Sequence, residues 1–173
     1  FSATGLQAIP PYKGQPRRMR SPERKPSRYT GDERMKYTNL TVNFTLAEFA
    51  CPCCSQVSAD FRLVSGLQAL RESIQKPIVI SSAFRCVKHN IEVGGAENSN
   101  HKIGTAADII VPGMKPLDLL LAAESVRWLQ GFGYGERFLH VDVRSYREYW
   151  YYNRGVAIPC TRERLIRFIA GEP

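Results

Sequence analysis

No stretch of this chain approaches the roughly 20 apolar residues that a membrane-spanning helix requires. The longest apolar runs, such as residues 117–123, read as core helix. Residues 1–10 lack the basic region followed by a sustained apolar one that marks a secretory signal. The chain starts with Phe rather than Met, so it is read as a processed or trimmed form, compatible with a signal removed earlier. Five cysteines are too few for a disulfide-built fold of this length, and an odd number leaves at least one unpaired if the others pair, so the redox compartment stays open. Histidine is scarce, with His89, His101 and His140 the only three, and no internal repeat is visible. What the chain does have is a hydrophobic fraction of 43% and a charged fraction of 23%. These argue against global disorder and, at 173 residues, for one domain with a real core plus extra material at its ends.

The net charge of +8 is unevenly spread. Residues 1–38 hold nine Lys and Arg against three acids (Glu23, Asp32, Glu33), a net +6 that leaves +2 for the rest. This segment is rich in Pro, Gly, Ser and Arg and has no apolar periodicity, which predicts an extended arm. Such an arm reads either as a solvated tail or as a segment that orders on nucleic acid, an anionic wall polymer or a partner protein, its cations neutralising phosphates or carboxylates.

Folded elements are expected from residue 39 onward. Thr45 and Glu48 have the spacing of a capping box opening a short helix with Leu46 and Phe49. After the tight loop CPCCSQ, Phe61, Leu63, Val64, Leu67, Leu70 and Ile74 recur at helical spacing. Residues 78–80 and 107–111 read as buried strands, with a polar, glycine-punctuated loop between them. A helix is predicted over 116–129, a turn at Gly131, Gly133 and Gly135, and a strand over 138–143. An aromatic segment follows, then a terminal helix capped by Thr161. This is an α+β pattern, with helices packed on a small, mainly antiparallel sheet. The division expected is a basic arm at 1–38, a catalytic-size domain at 39–154 and a helical extension at 155–173.

One constellation can carry chemistry. His101 precedes Asp108 by seven positions in SNHKIGTAAD, where Gly104 and small residues let the backbone fold back closely. His140 lies in FLHVDV, an alternating stretch that puts His140 and Asp142 on one strand face and Leu139, Val141 and Val143 on the other. Two imidazoles and one carboxylate make a three-ligand site with one open position, the pattern of catalytic zinc. Each piece alone is weak, since a lone strand histidine is more often structural; the combination is informative.

The series SSAFRC, HNIEVGG, SNHKIGTAAD and FLHVDVR, in this order, resembles the zinc D-alanyl-D-alanine carboxypeptidases and their relatives among peptidoglycan endopeptidases, over about residues 43–150. The resemblance implies the fold shared with hedgehog signalling domains, a Zn2+ ion on His101, Asp108 and His140, and Arg85 and Ser99 at the substrate. The substrate it implies is a peptidoglycan stem peptide. In hedgehog domains zinc is retained without clear peptidase activity, so fold alone does not decide catalysis. The compact size and the lack of wall-anchoring repeats fit a phage setting, with the protein acting at the cell wall, virion-borne or released at lysis as an endolysin.

Peptide hydrolysis also needs a carboxylate to take a proton from water and pass it to the leaving amine. Several relatives place an acid three residues before the last histidine ligand, where this chain has Arg137. Asp142, roughly 7 Å along the strand from His140, and Glu136 at the glycine turn are the two replacements. Asp142 is alternatively a ligand or a group that orients His140. His89 and Asn90 are expected to shape their loop. The CPCC cluster suggests a structural zinc site, but a second cysteine pair is missing. A disulfide from Cys51, Cys53 or Cys54 to Cys86 is therefore expected outside the cytoplasm, and plain thiols otherwise. The competing expectation is a zinc-bearing structural or virion component whose basic arm binds nucleic acid.

Overall fold

The computed structural model describes residues 35, 36 and 38–172; the expectations for the basic arm fall almost wholly outside them. The architecture is α+β. Six strands, β1 (Val79–Ser82), β2 (Ala106–Ile110), β3 (Gly131–Gly135), β4 (Phe138–Asp142), β5 (Glu148–Asn153) and β6 (Val156–Cys160), form one sheet in the order β1-β2-β4-β3-β5-β6. The sheet is mixed: β3 and β5 are parallel and the other four pairings antiparallel. The parallel pair arises because β4 runs back along one side of β3 before the chain crosses the start of β3 and rises on its other side. Gln130 straddles this crossing, its N–H donating to the Asp142 carbonyl (2.8 Å) and its carbonyl accepting from the Glu148 N–H (3.0 Å).

Three helices cover one face. In α1 (Phe61–Ile74) the side chain of Asp60 accepts from the Arg62 amide, satisfying a free N-terminal donor, and Leu63, Leu67 and Leu70 form the buried stripe. Helix α3 (Pro116–Glu124) opens on a proline at its first turn, where a missing N–H costs nothing. It stops earlier than the expected residue 129. The Ser125 hydroxyl donates to the Ala122 carbonyl (2.6 Å) and closes the last turn, while Val126 and Leu129 bury themselves in the following loop. Helix α4 (Arg162–Ala170) is capped by Thr161 and contributes Leu165 to the same core. These helices pack on the sheet face that bears Ile109, Phe132, Leu139 and Val141. Each such side chain, fully buried, contributes about 1.5–3 kcal/mol.

The opposite sheet face carries the polar residues. It is covered by the segment joining β1 to β2, expected to be a loop but holding a short helix, α2 (Val87–Glu92), and a 3-10 turn, Asn100–Ile103. Short helices within polar stretches carry no amphipathic signature, so periodicity does not reveal them. The Thr45–Glu48 capping box is present and opens the 3-10 turn Leu46–Phe49. Among the described residues no helix is long and apolar enough to cross a membrane.

The sharpest difference from expectation concerns Gly131, Gly133 and Gly135, which form strand β3 rather than a turn. Their alternation puts Phe132 and Tyr134 on the helix-covered face and leaves the other face of β3 without side chains. A Cβ at Gly131 would clash with the Asp142 carboxylate, and one at Gly133 with the Trp150 indole. The glycines make a trough into which side chains from β4 and β5 lean.

The helical layer is tied down by a half-exposed ion pair between Arg162, 40% exposed, and Glu124. Glu124 is 7% exposed and accepts two charged hydrogen bonds from Arg162 (both 2.7 Å) and one from the Tyr149 hydroxyl (2.8 Å). Burial alone would raise the Glu124 carboxyl, but the Arg162 fork and the Tyr149 hydroxyl hold it below the usual 4.5. A carboxylate depressed on folding adds stability above its unfolded value and loses it as pH falls through the folded one. Glu124→Gln is expected to cost about 1–3 kcal/mol at neutral pH, with the gap to the parent protein closing in acid. Urea unfolding at neutral pH and below the glutamate range checks this, and an undiminished gap in acid would contradict it.

Candidate metal centre

The sheet register assembles the site. Asp108 on β2 lies directly opposite His140 on β4, and the same row continues through Gly133 on β3 to Trp150 on β5. A second row joins Ala106, Asp142 and Gly131. Asp108 and His140 are thus cross-strand neighbours, whose Cβ atoms sit about 4.5–5.5 Å apart in any antiparallel pair. His101 comes from above, on the 3-10 turn Asn100–Ile103. That turn is capped by the Ser99 hydroxyl, which accepts from the His101 N–H (3.3 Å), and closed by Gly104 at φ 73°. A side chain at residue 104 would also strike the Ser58 carbonyl, so this reversal requires glycine.

Three donor atoms converge. His101 Nε2 is 3.2 Å from Asp108 Oδ1 and 3.1 Å from His140 Nδ1, and His140 Nδ1 is 2.9 Å from Asp108 Oδ1. A tetrahedral ion with bonds of about 2.0–2.1 Å separates its donors by about 3.3 Å, so the trio is spaced to take one. The other ring nitrogens settle the tautomers. His101 Nδ1 lies 2.6 Å from the Ala83 carbonyl, which can only accept, so the proton sits on Nδ1 and the Nε2 lone pair faces the site. His140 Nε2 lies 3.3 Å from Asp142 Oδ2, so Nδ1 faces the site. The two imidazoles therefore present opposite nitrogens, each fixed by an acceptor behind it.

Charge is arranged to match. Burial would raise the Asp108 carboxyl, but the two imidazoles beside its Oδ1 hold it well below the ordinary range. Burial lowers His101, further disfavoured as a cation by His140 and Arg85. Burial also opposes charge on His140, but Asp108 and Asp142 on either side of the ring outweigh it and raise its value. Arg85 donates from Nη2 to Asp108 Oδ2 and from Nε to the Ser82 hydroxyl (2.7 Å), placing a cation beside the centre.

Asp142 is wholly buried behind His140. It accepts from Arg144 Nε (2.8 Å) and Nη2 (2.6 Å), from the Arg144 amide (3.1 Å) and from Asn100 Nδ2 (2.9 Å). Burial works against its ionisation, but His140 and Arg144 keep it far below the carboxylate range. Glu136 lies in the exposed turn between β3 and β4, where it borders a groove with Met114, Leu119 and Leu139. The hairpin register sets Gly133 opposite His140 and Gly135 opposite Phe138, so Glu136 lies past the end of the ladder, away from the His140 row. The structure therefore brings His101, Asp108, His140, Asp142, Arg85 and Ser99 together and leaves Glu136 apart. His89 faces Glu92 (3.6 Å), and Asn90 donates to the Ala96 carbonyl (2.9 Å), so both shape their segment.

Sequence reasoning did not single out Arg144, Asn100 or Trp150. Arg144 stands two positions beyond Asp142, and that alternation in FLHVDVR was the available signal. Its guanidinium also lies 4.9 Å over the Trp150 ring and pairs with Glu148. Trp150 in turn lies 5.0 Å from the His140 ring, across the trough left by Gly133. No local pattern announces that contact.

Residues 42–142 match the family described as Peptidase M15, and the chain belongs to that family. It is also similar to the zinc D-Ala-D-Ala carboxypeptidase of Streptomyces albus G, with 50% identity over 44 residues. That stretch is 25% of this chain and 17% of the relative, so the likeness spans about a sixth of the relative's length.

Two substitutions separate the roles at the centre. His101→Ala is expected to abolish metal retention there. Asp142→Asn keeps the shape behind His140 but removes the charge, and should weaken zinc binding by about 10–100-fold in competition with a chromogenic chelator. Unchanged affinity in Asp142→Asn would remove Asp142 from any role in holding the ligand.

Proposed function

We propose that this chain is a zinc peptidase acting on peptidoglycan stem peptides, as a carboxypeptidase or endopeptidase. The observation that carries the reading is the convergence of His101 Nε2, Asp108 Oδ1 and His140 Nδ1 within 3.2 Å, both imidazoles locked in the ligating tautomer. Two nitrogens and one carboxylate oxygen are a donor set that suits Zn2+ and leaves a position open. Bound there, zinc supplies Lewis acidity to the scissile carbonyl and to the attacking water. Membership of Peptidase M15 and the name of the Streptomyces relative support the same chemistry.

The chain's own groups then divide the work. Arg85 has guanidinium donors beyond those spent on Asp108 and Ser82, and presents them to a peptide carboxylate or a developing oxyanion. Ser99 acts as a positioning residue through the His101 turn. Asp142, engaged by Arg144 and Asn100, holds the His140 proton on Nε2. Trp150 backs His140. Residues 39–154 carry this unit, in a hedgehog-type zinc peptidase fold, with 155–173 packed on it. A phage setting, in lysis or entry, fits a compact wall-cutting unit.

A second reading rests on the +6 charge of residues 1–38: a virion or structural component whose arm binds nucleic acid. The two readings are compatible in a particle-borne enzyme.

Purified sacculi incubated with the protein are expected to release peptide fragments, the release stopping with a chelator and returning with zinc. No zinc-dependent release would overturn the enzymatic reading and leave the structural one. In the same assay Asp142→Asn should recover as zinc is raised; a loss persisting at saturating zinc would make Asp142 the proton carrier.

A further inference from the structure

A second cluster of metal-ligating side chains lies outside this centre. The sulfurs of Cys51, Cys53, Cys54 and Cys86 all fall within 4.8 Å of one another. Cys53 Sγ is 3.5 Å from Cys51 Sγ and 3.3 Å from Cys86 Sγ. All five cysteines are free thiols, with Cys160 away on β6. A zinc ion held by four thiolates at about 2.3 Å has its sulfurs about 3.8 Å apart, a value inside the observed spread. We infer that Cys51, Cys53, Cys54 and Cys86 form a second, structural zinc site, closed by four thiolates.

Three features support a metal over a disulfide. First, one disulfide uses two sulfurs at about 2.05 Å and leaves two thiols crowded against it, whereas a single tetrahedral ion takes all four. Second, the backbone is folded for ligation. Residues 51–55 make a tight turn, with the Ser55 N–H donating to the Cys51 carbonyl (2.9 Å), the Cys51 N–H to the Gln56 carbonyl (2.7 Å), and Ser55 in the left-handed region at φ 56°. This turn aims three sulfurs at one point although they span only four positions in sequence. Third, amides already serve the sulfurs: the Cys86 N–H donates to Cys51 Sγ and the His89 N–H to Cys86 Sγ, each at 3.4 Å. Donors of this kind favour the thiolate that a metal requires.

The site has a structural consequence for the catalytic face. Cys86 caps α2 and directly follows Arg85, and Ala83 just before them holds the His101 ring. The Phe84 N–H donates to the Phe49 carbonyl (3.2 Å), joining this strip to the end of the 3-10 turn Leu46–Phe49, two residues before Cys51. An ion at the four sulfurs fastens residues 83–86 to residues 49–57. It thereby fixes two groups that the His101–Asp108–His140 centre leans on. Cys86 supplies the fourth ligand from 32 residues beyond Cys54, which is why the CPCC cluster looks incomplete when read alone.

Metal content of the full chain, purified under reducing conditions, tests this. The parent protein is expected to hold about two zinc equivalents per chain. His101→Ala should retain one of them, and a Cys53→Ser/Cys54→Ser variant should lose that one while keeping the other. Cobalt-loaded His101→Ala should show an intense near-ultraviolet thiolate-to-cobalt band, a readout that needs no cysteine variant to fold. Zinc content unchanged by the cysteine substitutions, no thiolate band in cobalt-loaded His101→Ala, or a mass deficit from lost thiol hydrogens in place of the second metal would each overturn the inference. Because the readout is metal and not hydrolysis, failure here leaves the peptidase reading standing, and failure of that reading leaves this one.

Discussion

The antiparallel register that sets Asp108 opposite His140 is the constraint on which the rest of the site depends. Two candidate ligands fixed by a backbone ladder are already spaced to share one ion. The third, His101, has only to descend from the turn above. A slip of one residue between β2 and β4 would send one ligand to the helix-covered face, because side chains alternate along a strand. Leu139, Val141 and Ile109 make such a slip costly, since it would expose them. The hydrophobic core thus enforces the geometry of the polar face.

The second requirement is room. A polar cluster this dense fits on a sheet only if a neighbouring strand gives up its side chains, and β3 does so at Gly131 and Gly133. Asp142 lies over the first and Trp150 over the second. Both then act on His140, one holding its Nε2 proton and the other backing its ring. The arrangement brings a carboxylate to zero exposure, and burying a charge is expensive unless it is paired and hydrogen-bonded. Arg144, Asn100 and the ring of His140 meet that need completely. A carboxylate so fully engaged suits an orienting role better than a mobile proton carrier.

The zinc centre and the four cysteines sit on either side of one strip, residues 83–86. Ala83 fixes the tautomer of His101, Arg85 touches Asp108, and Cys86 faces the sulfur cluster. Strand β1 and helix α2, between which the strip runs, are both short, so little regular structure holds it. An anchor at Cys86 answers that weakness. The same strip illustrates how irregular backbone near a site is made rigid by side-chain and carbonyl contacts rather than by ladders.

Much of this was legible in the sequence, because the relevant signals are local. Spacing within SNHKIGTAAD and the alternation of FLHVDVR mark His101, Asp108, His140 and Asp142, and helical periodicity marks the stripe of α1. The strand of glycines was not legible. Gly131, Gly133 and Gly135 have turn propensity, and only the presence of Asp142 and Trp150 across the sheet makes a strand without side chains favourable. The distance of Glu136 and the reach of Arg144 depend likewise on strand register and on the crossing from β4 to β5. The sequence alone determined which residues carry metal-binding chemistry, since ligand type is a property of each side chain. Only the tertiary structure decided which of them meet and how each is buried and hydrogen-bonded, because Asp108 meets His140 and Arg85, and His101 meets Ala83, from positions distant along the chain.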